Sequence, residues 1–137
     1  MLKITADTNI LVRTVVEDDP DQAAIAQALL RQATVIAVPV PVLCELSWVL
    51  RRGYGFSGDE IAETISDIVA VGTVVTEPPV VDAGVAALKA GGDFADGVIA
   101  YQGETLGAAV FASFDRQAVT RTKDHGLAAA DPSELID

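Results

Sequence analysis

Short apolar runs alternate along this chain with longer segments whose hydrophobic residues recur every three or four positions. Runs of the first kind are typical of buried strands, and those of the second kind are typical of helices packed on one face. The runs predict strands over residues 2–6, 35–38, 73–76 and 108–114. The periodic segments predict helices over residues 20–33, 39–53, 57–69, 80–90 and 93–106, and a short fifth strand before a last helical turn at 132–136.

Helix-capping signals support several of these boundaries. Asp19 before Pro20 is a strong helix start, because the side chain can cap the helix and proline fits its first position. Ser57 with Glu60 three residues later has the spacing of a capping box. Strands that alternate with helices favour parallel pairing, so we expect one α/β domain over residues 1–137. No linker, internal repeat or low-complexity segment interrupts it.

Composition and charge narrow the function classes. The chain has 137 residues, and half of them are hydrophobic, which excludes disorder. Cys44 is the only cysteine, so a disulfide framework is excluded as well. The longest apolar run is interrupted by Pro39 and Pro41 and is too short to span a bilayer, and no signal peptide is visible. We therefore expect a soluble cytoplasmic protein. Its net charge of −11 argues against a DNA-coating protein but suits a basic partner, or a nucleic-acid enzyme whose acidic site is neutralised by metal.

Five acidic residues stand out by position. Asp7 and Asp115 come where the first and fourth predicted strands end, at the edge where open parallel sheets bind ligands. Glu45 is the only charge in an apolar helix start, and an acid buried there would need a partner. Asp93 and Asp96 are three residues apart at the start of a helix, and side chains with that spacing point to similar places. Each has a simpler interpretation as well, since Asp7, Asp93 and Asp115 could serve as caps or turn residues and Asp96 could be a first-turn acid.

Taken together, these acids predict a metal site. Carboxylates in one cleft repel each other unless they share protons or bind a cation. Oxygen ligands without histidine or thiolate select hard cations, Mg²⁺ or Mn²⁺, which activate water and neutralise charge on an attacked phosphate. His125 lies in a polar turn and is expected at the surface, and Cys44 is expected to be a small buried hydrophobe.

The acidic motifs resemble those of PIN-domain nucleases. The matching segments, in order, are Asp7-Thr8-Asn9-Ile10-Leu11, then Glu45, then Asp93-Phe94-Ala95-Asp96 with Gly97-Val98-Ile99-Ala100, and then Ser113-Phe114-Asp115-Arg116. The tail Asp131-Pro132 is also similar, and the likeness runs from about residue 2 to 135. Among PIN domains, the small VapC-type toxins of bacterial toxin–antitoxin pairs are the most similar subgroup. One departure is Gly97, where the family more often has alanine, and glycine there is expected to loosen the helix.

The resemblance implies a PIN-like three-layer α/β/α sandwich with a central, mainly parallel sheet. It implies that Asp7 and Asp96 ligate Mg²⁺, with Mn²⁺ as a substitute, and that Glu45 and Asp115 complete the acidic pocket. Supporting roles are expected for three further residues: Asn9 orienting Asp7 or a water, Ser113 doing the same for Asp115, and Asp93 as a cap or an outer acid. Backbone phosphates of RNA are expected to contact three arginines, Arg13, Arg116 and Arg121.

The activity implied is that of an endoribonuclease toxin that leaves a 5′-phosphate and a 3′-hydroxyl. A homodimer and a basic antitoxin that fills the cleft are implied as partners. Two rivals fit poorly: a receiver-like domain needs an acceptor Asp after the third strand, where Glu77-Pro78-Pro79 stands, and a dehalogenase-like phosphatase needs an Asp in place of Asn9. The remaining alternative is a PIN scaffold that binds RNA or a protein partner without cutting.

Overall fold

Seven helices and five short strands alternate in the computed structural model, which describes residues 1–137. The chain divides into two compact units, an N-terminal unit of residues 1–77 and a C-terminal unit of residues 78–137. The elements of the N-terminal unit are β1 Lys3–Thr5, α1 Thr8–Val15, α2 Pro20–Gln32, β2 Val35–Ala37, α3 Val40–Tyr54, α4 Gly58–Val69 and β3 Val74–Val75.

The three strands of the N-terminal unit form one parallel sheet in the order β1–β2–β3. Ile36 of β2 is the centre of the register, since it lies opposite Ile4 on one side and Val74 on the other. Ile36 is 2% exposed, as expected for a strand flanked on both sides. This pairing ends β1 one residue before Ala6, so Asp7 follows where the chain leaves the sheet.

Helices α3 and α4 supply the largest fully buried side chains of the N-terminal unit. Leu43, Leu46 and Leu50 of α3 are spaced by three and four residues, and all are inaccessible to solvent. Ile61 and Ile65 repeat the pattern in α4. Burial of one side chain of this size stabilises the fold by about 1.5–3 kcal/mol, which makes this face the main anchor of α3.

The capping signals are confirmed in the structure. The Asp19 carboxylate accepts a hydrogen bond from the Gln22 backbone N–H at 3.1 Å. Ser57 Oγ accepts from the Glu60 N–H at 3.1 Å, and the Glu60 carboxylate accepts from the Ser57 N–H at 3.0 Å.

The predicted end of α3 at Gly53 is wrong. The helix continues to Tyr54 and ends at Gly55, which has a left-handed φ of 71° and donates its N–H to the Arg51 carbonyl. The left-handed residue, rather than the first glycine along the chain, therefore stops the helix.

The C-terminal unit consists of a helical pair, two short strands and one further helix. Its elements are α5 Pro78–Lys89, α6 Phe94–Thr105, β4 Phe111–Ala112, α7 Arg116–Asp124, β5 Ala129–Ala130 and a 3-10 turn Pro132–Glu134. Strands β4 and β5 pair in parallel. The sequence pattern did not predict α7, because that helix is mostly polar and buries only Ala118, Val119 and Thr122.

Two glycines allow α5 and α6 to approach closely. Phe94 is completely buried, and a Cβ added to Gly84 would lie 2.4 Å from its ring. A Cβ added to Gly97 would lie 2.5 Å from the Ala83 carbonyl oxygen and 2.6 Å from the Ala87 Cβ. Gly97 is thus required for the close packing of the helical pair, and the expectation that it loosens α6 stays a prediction.

The predicted fold class, mixed α/β with parallel strands, is confirmed. The strands are shorter than the pattern predicted, most clearly β4, which covers two residues where seven were expected. None of the helices combines the length and the hydrophobicity that crossing a membrane requires. The single domain over residues 1–137 stays a prediction.

Candidate active site

Asp7 marks the junction between β1 and α1. Its carboxylate accepts a hydrogen bond from the Thr8 backbone N–H at 2.8 Å, so it caps the first turn of α1. The residue is nonetheless exposed to solvent. Since a carboxylate has lone pairs beyond the one used by this bond, Asp7 can cap the helix and still offer oxygen to a ligand.

Thr8 connects Asp7 to Glu45. Its side chain is 7% exposed, and its Oγ1 donates to Glu45 Oε2 at 3.1 Å. This bond ties the start of α1 to the middle of α3 and orients the Glu45 carboxylate. Sequence analysis singled out Asp7 and Asn9 but missed Thr8. The available signal was its position inside the first acidic motif.

Glu45 itself is exposed, so it is not an acid buried among apolar neighbours. The reason is helical geometry: α3 buries Leu43, Leu46 and Ser47, and Glu45 lies on the other side of the helix. Cys44 is half-buried rather than fully buried for the same reason. Glu45 keeps its place among the candidate residues because of its bond to Thr8.

Asp7 and Glu45 line one open pocket of about 360 Å³ in the N-terminal unit, together with Thr8, Asn9 and Arg13. Asn9 is exposed and makes no hydrogen bond to Asp7, so that part of the expected Asn9 role is absent. The pocket therefore holds two carboxylates whose orientation is set by Thr8.

Arg13 forms a hydrogen bond and an ion pair within the N-terminal unit. Its Nε donates to Gln22 Oε1 at 2.6 Å, and its guanidinium forms an ion pair with Asp18 at 3.3 Å. The Tyr54 hydroxyl donates to the same Asp18 at 2.8 Å, and this hydrogen bond raises the pKa of Tyr54. The RNA contact predicted for Arg13 stays a prediction, and it would compete with these partners.

Asp96 is a carboxyl of the C-terminal unit whose pKa is raised. Partial burial in the first turn of α6 raises its pKa, and the charges of Asp93 and Asp115 raise it further. The nearby Arg121 guanidinium lowers it in part. Three predicted site residues therefore interact electrostatically in this unit, and Arg121 offsets only some of their repulsion.

Asp93 occupies the N-cap position of α6, but its side chain accepts no capping hydrogen bond. The prediction that Asp93 caps this helix through its side chain is therefore wrong. Its exposed carboxylate has no such bond to hold it and acts on Asp96 through charge.

Asp115 lies between β4 and α7 and caps α7. Its Oδ1 accepts from the N–H groups of Gln117 and Ala118 at 3.0 and 3.2 Å. Ser113 Oγ accepts from the Asp115 backbone N–H at 3.0 Å. Ser113 thus contacts the backbone of Asp115, whereas the expectation was that it orients the Asp115 carboxylate.

The other charged candidates lie around these acids. Arg116 is exposed at the start of α7, and its charge contributes a little to lowering the pKa of Asp131, which hydrogen bonds from Ser133 lower most. His125 is exposed at the end of α7, as predicted.

The candidate residues fit a hard divalent cation by their donor chemistry. Within either unit, no three His, Cys, Asp or Glu side chains come close enough together to hold a metal ion. The five acidic candidates offer carboxylate oxygens, the kind of donor that Mg²⁺ and Mn²⁺ prefer. Burial and then the charges of Asp93 and Asp115 raise the pKa of Asp96, and a cation bound beside it would favour its ionised form.

Comparison with known protein families assigns the class. The model of the PIN domain matches residues 4–124, a range that contains every acidic candidate. The chain therefore belongs to the PIN domain family. PIN domains are typically nucleases that use divalent metal ions, which supports a nuclease function here. No curated protein matches the chain.

Proposed function

We propose that this protein is a Mg²⁺-dependent endoribonuclease and the toxin of a VapBC-type toxin–antitoxin pair. The observation that carries the nuclease assignment is the match of residues 4–124 to the PIN domain. In support, partial burial and then the charges of Asp93 and Asp115 raise the pKa of Asp96. A cation bound beside Asp96 would favour its ionised form and offset these like charges.

Asp7 and Asp96 are the proposed metal ligands, from their places in the family motif order. Bound Mg²⁺ would supply positive charge at the attacked phosphate and lower the pKa of water. Glu45 and Asp115 would position water or accept its proton, each from a fixed orientation: Thr8 holds Glu45, and the start of α7 holds Asp115. Hydrolysis would leave a 5′-phosphate and a 3′-hydroxyl.

The RNA chain needs positive charge that the acids do not supply. Arg121 is the best placed of the predicted arginines in this respect, because its guanidinium already interacts with Asp96. Arg116 is exposed on the same helix, α7. Loss of either is expected to weaken RNA binding in a salt-dependent way.

A basic antitoxin, a homodimer and a cytoplasmic location complete the proposal. The net charge of −11 supports a basic partner, since opposite charges steer association and neutralise self-repulsion. Expression without the antitoxin is expected to arrest growth, and expression of Asp7→Asn is not.

The test is cleavage of end-labelled total cellular RNA by the purified protein, with Mg²⁺ and with chelator. We expect discrete Mg²⁺-dependent products that are absent with Asp7→Asn. Asp21→Asn is the matched control, because Asp21 is an exposed first-turn acid of α2 outside the pocket. Products that persist with chelator and in Asp7→Asn would indicate a contaminant and contradict the proposal. Folded protein that binds Mg²⁺ but cuts no RNA would favour the non-catalytic scaffold.

A further inference from the structure

A cavity of about 180 Å³ lies within the C-terminal unit, among α5, α6 and α7. Small residues make up about half of its lining. They are Ala83, Ala86, Ala87, Gly92, Gly97, Ala100 and Ala118. A Cβ on Gly92 would lie 3.4 Å from the Cδ of Arg121, so a side chain as small as that of alanine would already contact the arginine there.

The size of the cavity suits one planar ring system. Its volume is about 180 Å³. It is smaller than the sites of roughly 300 Å³ and above that take whole drug-sized ligands. A single nucleobase fits this range, whereas a complete nucleotide does not.

Charge around the cavity disfavours a phosphate as its occupant. Three carboxylates line it, Asp93, Asp96 and Glu104, against one arginine, Arg121. An anion would meet net repulsion there, while a neutral ring would not. The polar lining also provides hydrogen-bonding groups for a ring edge, and Tyr101 adds an aromatic side chain.

We propose that this cavity, the base pocket, receives the base of the RNA nucleotide next to the cleaved phosphodiester. The inference rests on the proposed function, because Asp96 lines the cavity and is also a proposed metal ligand. A base held there places its phosphate beside the acidic group. A carboxylate accepts hydrogen bonds and cannot donate them, so Glu104 favours bases that present an exocyclic amino group, which cytosine, adenine and guanine have and uracil lacks.

The first test is binding of free nucleosides, which does not depend on cleavage. Cytidine, adenosine and uridine are titrated into the full-length protein, and backbone amide shifts are followed by NMR. We expect cytidine or adenosine to shift Tyr101 and His125, with uridine weaker by about tenfold. Glu104→Gln should reduce this discrimination, because its amide can also donate to uracil O4. The absence of shifts in the base pocket at millimolar nucleoside, or equal binding of uridine, would overturn the proposal.

The second test is cleavage of a randomised single-stranded RNA pool. Ala86→Phe should fill the pocket from its exposed rim and relax the base preference next to the cut by about tenfold. Ala90→Phe is the control, since Ala90 is exposed directly after α5 and does not line the cavity. Wild-type protein that cuts with a preference unchanged by Ala86→Phe would overturn the base pocket alone. Wild-type protein that binds nucleosides but cuts nothing would overturn the proposed function alone.

Discussion

Replacing Gly97 by alanine tests whether the close approach of α5 and α6 depends on this glycine. The new Cβ would lie 2.5 Å from the Ala83 carbonyl oxygen and 2.6 Å from the Ala87 Cβ. Both are parts of the helix α5 itself, so neither can turn aside as a flexible side chain would. The two helices must move apart to accept the methyl group.

The magnitude follows from two opposing effects. Overpacking of this kind typically costs about 1–3 kcal/mol. Alanine recovers up to about 1 kcal/mol of helix propensity relative to glycine. The matched control is Gly103→Ala in the same helix, because a Cβ at Gly103 meets nothing within 4 Å. That variant should gain about 0.5–1 kcal/mol, and the difference between the two variants isolates the packing cost.

Urea denaturation followed by circular dichroism measures both variants against wild type. A difference of about 1–3 kcal/mol between them corresponds to roughly 4–12 °C in melting temperature for a chain of this size. Gly97→Ala should unfold first and Gly103→Ala last. If Gly97→Ala is as stable as Gly103→Ala, the helices have room at this position and the packing argument is wrong.

Three further changes test the acids and the caps. The raised pKa of Asp96 means that the folded protein binds this proton more tightly than the unfolded chain, so ionised Asp96 opposes folding at neutral pH. Asp96→Asn should therefore raise the free energy of unfolding at pH 7, and the gain should vanish as pH falls below the ordinary carboxyl pKa of 3.8; a gain independent of pH would contradict this cause. Ser57→Ala should cost about 1 kcal/mol in urea denaturation because it removes the capping box, while Ser66→Ala, at an exposed position inside α4, should be neutral within about 0.5 kcal/mol. Thr8→Val keeps the side-chain shape but removes the hydrogen bond to Glu45, so it should lower RNA cleavage and reduce the free energy of unfolding by about 0.5–1.5 kcal/mol. Thr8→Ser keeps the hydroxyl and should retain wild-type cleavage and stability. Unchanged cleavage in Thr8→Val would refute the positioning role.

Local physics explains why much of the fold was readable from the chain. The caps at Asp19 and at Ser57 with Glu60 depend on residues at most three positions apart, so their spacing alone identified them. The same holds for the buried stripe of α3, where Leu43, Leu46 and Leu50 follow the helical period. Helix α7 was missed for the converse reason: it buries too few apolar residues to show that period.

The acidic candidates were found because they follow strands, interrupt an apolar helix or lie three residues apart at a helix start, which are sequence properties. Their environments were not predictable in this way. Glu45 is exposed because α3 packs its opposite face against the core. The hydrogen bond from Thr8 to Glu45 joins residues 37 positions apart. Asp93 has the spacing of a cap, yet its side chain makes no capping bond.

Gly97 shows most clearly the difference between what a local pattern predicts and what tertiary contacts decide. As a residue in a helix, it suggested only a propensity cost of about 0.5–1 kcal/mol. Its real constraint is the Ala83 carbonyl oxygen of α5, which would lie 2.5 Å from a Cβ at this position and belongs to a residue 14 positions earlier in the chain. Short-range patterns therefore sufficed for the α/β class and for the capped starts of α2 and α4. Side-chain exposure, hydrogen-bond partners and the closeness of α5 to α6 depended on contacts between distant segments, which no local pattern encodes.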